Sequence, residues 1–380
     1  LGRDPRSIAM AKACTPSVHV NTEHLRIAAN DVRQMLQFDL READQQLLTF
    51  EECFAGRPGD DLYAPMNRQA SPGWGWAKGK GVGKNPWLTT KEGEWRFDHP
   101  EVLEKFAAKE HLLQCGERPN FIWIDTLKDE RRPNEKVDAG KTRLFSAGEM
   151  IATALLRKYF MGFCAHVMRH PVTFEACVGL NVYGQQWNML ARALKTHGPH
   201  VVAGDFTNYD GSLSAQILWE VCDIINDFYQ DEHDEIRRLL WLEIVNSIHI
   251  TGDDVYTWTH SQPSGCAFTT VLNSVYHSIA VRMTFLACAE KYAPEMRNMA
   301  AYNKYVVHVN YGDDDVTNIH PDIVSWFNQH TMTEMYTQIG MTYTDETKTG
   351  NPPPSRTLEE VRFLKRGFYY DRNQDRWRAP

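Results

Sequence analysis

Carboxylates crowd one short stretch of this 380-residue chain. In "YGDDD", residues 311 to 315, Asp313, Asp314 and Asp315 follow a run of β-branched residues. The flanking segments "KYVVHVNY" and "VTNI" read as two short strands, so the acids sit at the bend of a hairpin. A further acid, Asp205, ends the strand-like "PHVVAGDF" at 199 to 206. If these strands are neighbours in one sheet, Asp205 converges with Asp313 and Asp314 and offers hard oxygen ligands to Mg²⁺. Two ions held this way activate an attacking hydroxyl and stabilise a departing phosphate oxygen. Gly-Asp-Asp is also an ordinary turn, and "TGDDVYTW" carries it again at Asp253 and Asp254, where a plain hairpin is expected. The surroundings must decide between the two.

Charge elsewhere is unevenly spread. The formal net charge of -8 argues against coating nucleic acid by bulk positive charge. Yet "KGKGVGK" places Lys78, Lys80 and Lys84 together, a second basic region runs from Lys128 to Arg143, and a third is "FLKRGF" with Arg372, Arg376 and Arg378. The acidic counterpart is "DEHDE" at 231 to 235. A polyanion groove under an acidic exterior fits this pattern, as does scattered solvent charge. The eight cysteines show no CxxC spacing, which favours reduced thiols and a reducing compartment over a metal site or disulfides. No stretch reaches the roughly 18 apolar residues of a membrane helix, and the opening "LGRDPRSIAM" does not lead into a signal-like core.

The elements that must position these groups follow from periodicity. A chain of this length is expected to divide into lobes. Residues 21 to 50 read as a helix, and 56 to 90, rich in Gly, Pro and Trp, as a long loop. Helices are expected near 100 to 114 and over "AGEMIATALLRKYFMGFCAHVM", with "NFIWIDTLKDE" a strand between them. After the Asp205 strand, Ile217, Val221, Ile224, Ile225 and Phe228 recur at helical spacing. "GCAFTTVLNSVYHSIAVRMTFLACAE" predicts a long apolar helix behind the turn "QPSG", and "DIVSWFNQHTMTEMYTQIG" another that stops at Gly340. The order is that of a mixed α/β fold with helices on one face of an antiparallel sheet.

Taken in order, the motifs resemble those of viral RNA-dependent RNA polymerases. "YGDD" at 311 to 314 resembles the catalytic signature. "DFTNYD", 205 to 210, resembles the first palm motif, and "PSGCAFTTVLN", 263 to 273, the next, with Ser264, Gly265, Thr269 and Asn273 at the family spacing. "LKDERR" with "GKTR", 127 to 132 and 140 to 143, is similar to the fingers motif that meets nucleotide phosphates. "SPGWGW", 71 to 76, resembles the template-entry loop, and "FLKRGF", 363 to 368, the primer-gripping hairpin. The match spans about residues 71 to 368 and is nearest the picorna-like positive-strand RNA viruses, with an iflavirus- or dicistrovirus-like, insect-infecting member in view.

The resemblance implies a right-hand polymerase: fingers over 1 to 199, palm over 200 to 228 and 251 to 362, a fingers-palm connection at 229 to 250, and the primer-grip hairpin with the start of a thumb at 363 to 380. Most of the thumb is expected to be missing. It implies Asp205 and Asp313 as metal ligands with Asp314 weaker or indirect, and Asp315 as a turn or supporting residue. Arg131, Arg132, Lys141 and Arg143 would clamp the triphosphate, Arg143 foremost. Asp210, Ser264 and Asn273 would sense the 2'-hydroxyl, with Thr269 beside them, and Gly265 would let the backbone approach the template. Ser71, Gly73, Lys78, Lys80, Lys84, Lys365 and Arg366 would meet RNA. Trp74 and Trp76 would either stack on bases or anchor their loop, with anchoring favoured. Lys348 in "TYTDETKTG" is the expected proton donor to pyrophosphate, although extra residues precede it. The implied partners are RNA template and primer, nucleoside triphosphates, a small genome-linked protein primer and other viral replication proteins, in the host cytoplasm at membrane-associated complexes. The rivals are a reverse transcriptase, against which Asp210 and Asn273 argue, a noncatalytic RNA-binding protein, and a metallophosphoesterase, which needs no sugar sensor.

Overall fold

In a computed structural model, residues 4–11, 14–76, 82–348 and 350–380 are described. The acids belong to a four-stranded antiparallel sheet in the order β6 (Val306–Tyr311), β7 (Asp314–Ile319), β3 (Val201–Thr207), β8 (Thr342–Asp345). Asp315 of β7 stands opposite Gly204 of β3, and Asp205 opposite Thr344 of β8. The hairpin bend and the end of β3 therefore lie at one edge, the convergence that the chemistry required.

A second sheet runs β2 (Leu144–Ala147), β1 (Ile122–Leu127), β4 (Ile248–Thr251), β5 (Asp254–Thr257), with β1 and β4 parallel. Residues 248 to 257 thus join the sheet built from 122 to 147, and the expected boundary between 250 and 251 falls inside β4. Gly252, at φ 63°, and Asp253 form the plain β4–β5 turn, and Asp254 opens β5. A small ribbon, β9 (Tyr369–Asp371) with β10 (Arg376–Arg378), follows the 363–368 turn.

The helix Thr269–Tyr292 is buried almost continuously from Val271 to Ala289. A helix apolar on all sides belongs inside a core, and this one packs between the β6 side of the sheet and the helices Thr22–Met35 and Gln329–Tyr336. The helix Ala215–Tyr229 after β3 buries Ile217, Val221, Ile224, Ile225 and Phe228 as their spacing predicts.

Two helices are shorter than their composition suggests. Within the segment 21 to 50 the long helix covers Thr22–Met35, capped by the Asn21 side chain on the Glu23 and His24 amides, and a single further turn forms at Glu42–Gln45. Asp39 then takes φ 50°, which no α-helix accommodates, and Thr49 with Glu52 starts a separate helix, Phe50–Ala55, through a capping box. Likewise Asn328 accepts from the His330 and Thr331 amides and delays the later helix to Gln329–Tyr336; a 3-10 turn then runs to Gly340 at φ 78°.

Candidate active site

Pairing of Tyr311 with Asp314 leaves only Gly312 and Asp313 in the hairpin loop. Gly312 has φ 66°, as a two-residue loop with glycine in its first central position requires. The loop is pinned from the buried helix: the Gly312 amide donates to Ser274 Oγ at 2.9 Å, and His277 Nδ1 lies 2.9 Å from the Gly312 carbonyl. A carbonyl only accepts, so Nδ1 carries a proton. Burial lowers the His277 imidazole to about 3, which keeps the ring neutral at ordinary pH.

Strand alternation separates the acids. Asp314 stands among the acids at the edge, while Asp315 turns into the core and accepts from Tyr343 Oη at 3.1 and 3.2 Å. Gly204, directly before Asp205, makes room for that tyrosine, since a Cβ there would lie 1.9 Å from its ring. Burial, then the neighbouring Asp210 and Asp205 charges, raise Asp313; burial, then Asp313 and Asp205, push Asp314 up to about 6. Lys348 Nζ forms an ion pair with Asp205. Among the described residues no three acidic, imidazole or thiol groups are gathered tightly enough to hold an ion as they stand. The donor set is nevertheless of the right kind: all oxygen, partly desolvated and mutually repelling, so a dication would relieve the repulsion.

Beside the acids lies a cavity of about 260 Å³ lined by Arg132, Arg143, Asp210, Ser264 and Asp313. Asn273 Nδ2 donates to Asp210 Oδ1 at 2.9 Å, and Gln262 Nε2 bonds Asn273 Oδ1. Burial raises Asp210, opposed by the Asn273 hydrogen bond and by Arg143. Arg143 is paired with Glu130 through Nε at 2.8 Å and through Nη2. Arg132 Nη2 donates to the Lys141 carbonyl at 3.0 Å, and both Arg131 and Lys141 have exposed side chains near the same finger. Thr269 does not face the cavity network: its hydroxyl donates to the Cys266 carbonyl at 2.9 Å and locks the turn that begins the helix.

The residues expected to meet RNA divide more sharply. Lys78 and Lys80 lie outside the described residues. Lys84 is misassigned as a phosphate contact: it is 5% exposed, its ammonium donates to the Asn67 and Ala70 carbonyls at 3.3 and 3.2 Å, and burial lowers it to about 8. It ties the loop together. Gly73, at φ 83°, lies where a Cβ would strike Glu149 Cα at 2.6 Å; its amide donates to Ser71 Oγ, and the Pro72 carbonyl caps the Met150 amide. Trp76 is buried edge-on to Trp87 with Lys105 over its ring, an anchor as expected, while Trp74 is half exposed.

Gly265 approaches protein rather than open space: a Cβ would lie 2.0 Å from the Ser146 carbonyl, and its backbone bridges Ala147. Lys365 is exposed at the tip of the 363–366 turn, and its charge reaches Asp314. Arg366 is committed to Tyr183, donating to its hydroxyl at 2.6 Å and lying 4.7 Å from its ring centre. Phe363 and Phe368 sink into a second core with Trp187 and Trp377, which fixes the turn.

Sequence reasoning missed Glu130, Gln262, Ser274 and His277. His277 was findable, because it follows Asn273 by four positions on the same helix, and i, i+4 neighbours share a face.

The family described as "Viral RNA-dependent RNA polymerase" matches residues 1–380. Among curated proteins, the chain is 41% identical to the replicase polyprotein of Acute bee paralysis virus over 98% of its length, 42% identical to that of Drosophila C virus over 88%, and 38% identical to that of Cricket paralysis virus over 99%. It spans about a fifth of the length of those relatives, 20%, 20% and 22% respectively. Among solved structures, the Sicinivirus 3Dpol RNA-dependent RNA polymerase superposes with a TM-score of 0.81 at 21% identity, covering 99% of this chain and 74% of that one, a likeness of fold.

Proposed function

The chain belongs to the viral RNA-dependent RNA polymerase family, and from that premise we propose that it copies an RNA template into RNA, joining nucleoside monophosphates from triphosphates to an RNA 3'-hydroxyl or to a protein primer. The observation that carries this reading is the convergence of Asp205, at the end of β3, with the Gly312–Asp313–Asp314 bend, beside the Asn273–Asp210 pair. Acids alone would suit any phosphoryl transfer. A part-buried amide-carboxylate pair next to them suits a ribose.

Asp205 and Asp313 would hold two Mg²⁺ or Mn²⁺ ions, with Asp314 alongside. Such ions, when bound, activate the attacking hydroxyl and neutralise charge on the leaving oxygen. The protein's own groups do the rest. Arg143 and Arg132 offer forked donors to the triphosphate from the cavity wall, Arg143 exchanging part of its pairing with Glu130 for phosphate. Arg131 and Lys141 add charge near the entrance. Asn273 and Asp210 satisfy each other at rest; a ribose 2'-hydroxyl with Ser264 extends that network, whereas deoxyribose leaves it short of a partner. Lys348, ion-paired with Asp205, would donate the proton that the departing pyrophosphate takes up. Lys365, beside Asp314, meets the primer backbone.

We further assign fingers to 1–199, palm to 200–228 and 258–362, with 229–257 as the connection because β4 and β5 belong to the sheet of β1 and β2, and the primer grip to 363–368. A genome-linked protein primer and other replication proteins would be its partners, and membrane-associated complexes in the host cytoplasm its place of work. The relatives are replicase polyproteins, which supports release from a longer precursor.

The test is extension of a short self-priming RNA hairpin with Mg²⁺ or Mn²⁺, supplied with ribo- or deoxyribonucleotides, beside Asp313→Ala. Extension with ribonucleotides alone, abolished in the variant, is expected. RNA binding at low salt without extension would favour a noncatalytic RNA-binding role instead.

A further inference from the structure

A buried carboxylate that the reaction does not use lies in the wall of the nucleotide cavity. Asp125 sits on β1 opposite Ser146 of β2, its side chain 1% exposed. It accepts from Ser146 Oγ at 2.6 Å, from Thr251 Oγ1 at 2.8 Å and from Tyr256 Oη, and it meets His249 Nδ1 at 3.0 Å. These donors come from β2, β4 and β5, so one carboxylate gathers all three other strands of the sheet. His249 is itself held between the Tyr256 and Trp258 rings, centres 5.3 and 4.5 Å away, with Nε2 2.7 Å from Ser247 Oγ. Burial works against the charged form of Asp125, but the hydrogen bonds from His249, Ser146 and Tyr256 outweigh it and hold the carboxyl below its usual range.

The placement of Ser146 gives this hub a direction. The Ser146 side chain goes to Asp125, while its backbone amide faces Ser264 Oγ at 3.4 Å and its carbonyl abuts Gly265. The strand it belongs to begins directly after Arg143, whose carbonyl accepts from the Lys128 amide at 2.8 Å. Asp125, Arg143, Ser146, Tyr256 and Ser264 line one cavity with Asp210 and Asp313. Shifting β2 would move the proposed triphosphate clamp and the proposed ribose contact together.

We propose that Asp125 is a positioning residue for the nucleotide site, and that through Ser146 it fixes β2 so that Arg143 and Ser264 meet the same incoming ribonucleotide. Its oxygens are taken up by four protein side chains, so it acts through the strand. The inference deepens the polymerase reading and rests on it for the identity of the ligand.

The test compares two hydroxyl donors to the same carboxylate. Ser146→Ala cuts the link to β2, and Thr251→Val cuts a link to β4 on the other side. Both are expected to lower thermal stability by a similar amount. Only Ser146→Ala should raise KM for ribonucleotide, by about tenfold, with a smaller change in kcat. Its preference for ribo- over deoxyribonucleotide should narrow as well. Asp125→Asn, which keeps one acceptor oxygen, should fall between Ser146→Ala and the unaltered chain. GTP binding by isothermal titration gives the same comparison without turnover: weaker in Ser146→Ala, unchanged in Thr251→Val. Equal effects of the two substitutions on KM and on GTP binding, or none in Ser146→Ala, would overturn the proposal. Failure of the unaltered protein to extend RNA while it binds GTP would overturn the polymerase reading instead, and the titration would still judge Asp125.

Discussion

Replacing Asp315 by Asn should stabilise the protein at alkaline pH and do much less at acid pH. Asp315 is 1% exposed, and burial, with the adjacent Asp314 charge opposing ionisation further, pushes its carboxyl up to about 8 despite the Tyr343 hydrogen bond. The groups around it supply no compensating cation. His308 lies 3.9 Å away but burial lowers it to about 3, so it is neutral; Tyr343 is raised; Glu346 adds a negative charge. The folded state therefore binds a proton that the unfolded chain has lost between pH 3.8 and about 8, and stability falls as pH rises through that window. A carboxyl moved from 3.8 to about 8 corresponds to on the order of 5 kcal/mol once the pH exceeds both values, of which roughly 4 kcal/mol develops above pH 5. Asn retains an oxygen for the Tyr343 hydroxyl and removes the titration, at a cost of about 1 kcal/mol for burying its amide. Urea unfolding in EDTA at pH 5 and pH 8.5, on both proteins, reads the difference. The variant should gain at least about 2 kcal/mol on the unaltered protein between the two conditions. A difference that is the same at both pH values would refute the reasoning.

Gly204→Ala should lower the melting temperature and abolish extension, because its Cβ would enter the Tyr343 ring; overpacking of this kind costs about 1 to 3 kcal/mol, measured by thermal unfolding. Lys84→Met should leave the salt dependence of RNA binding unchanged, whereas Lys365→Met should weaken RNA binding and reduce its slope against log salt by about one, measured by fluorescence anisotropy. Affinity for Mn²⁺, followed by electron paramagnetic resonance, should fall as pH drops below about 6, since Asp314 must release a proton there before it can help to hold a cation.

Much of the site was legible because it depends on local pattern. Runs of β-branched residues marked β3, β6 and β7, the bend chemistry of Gly312 set the acids between them, and the apolar run from 269 marked the buried helix. What composition could not reveal was where each polar group spends its hydrogen bonds. Lys84 and Lys365 are alike as letters, yet one is enclosed by the carbonyls of its own loop and the other stands free at a turn tip. Gly265 reads as a permissive residue near RNA, but the contact that forbids a side chain is the Ser146 carbonyl, 119 positions away in the chain, since 265 − 146 = 119. Asp125 carries no motif at all; its role follows from four donors that only the β2-β1-β4-β5 pairing brings together. The overlong helix from 21 to 50 failed for a different reason: helix propensity is summed over a window, while the chain leaves the helix after Met35 and turns through Asp39 at φ 50°, from which the helix cannot resume.

One turn of the helix Thr269–Tyr292 joins two tasks that the motifs list separately. Asn273 donates to Asp210 on the sugar side, Ser274 accepts from the Gly312 amide, and His277, one turn on, holds the Gly312 carbonyl. The group proposed to read the 2'-hydroxyl and the groups that fix the acidic bend are thus side chains of a single buried, well-packed helical turn. A helix interior yields little to small loads because its neighbours are close-packed, so a strain at Asn273 is passed to Gly312 rather than absorbed. A sugar that fails to complete the Asn273–Asp210 network would then also disturb Asp313, and selection of ribose would act on the rate of the step as well as on binding. The bend is held from the helix and not only by its sheet; that is why three adjacent aspartates can be kept at one tight turn, two at the edge of the sheet and one turned into the core.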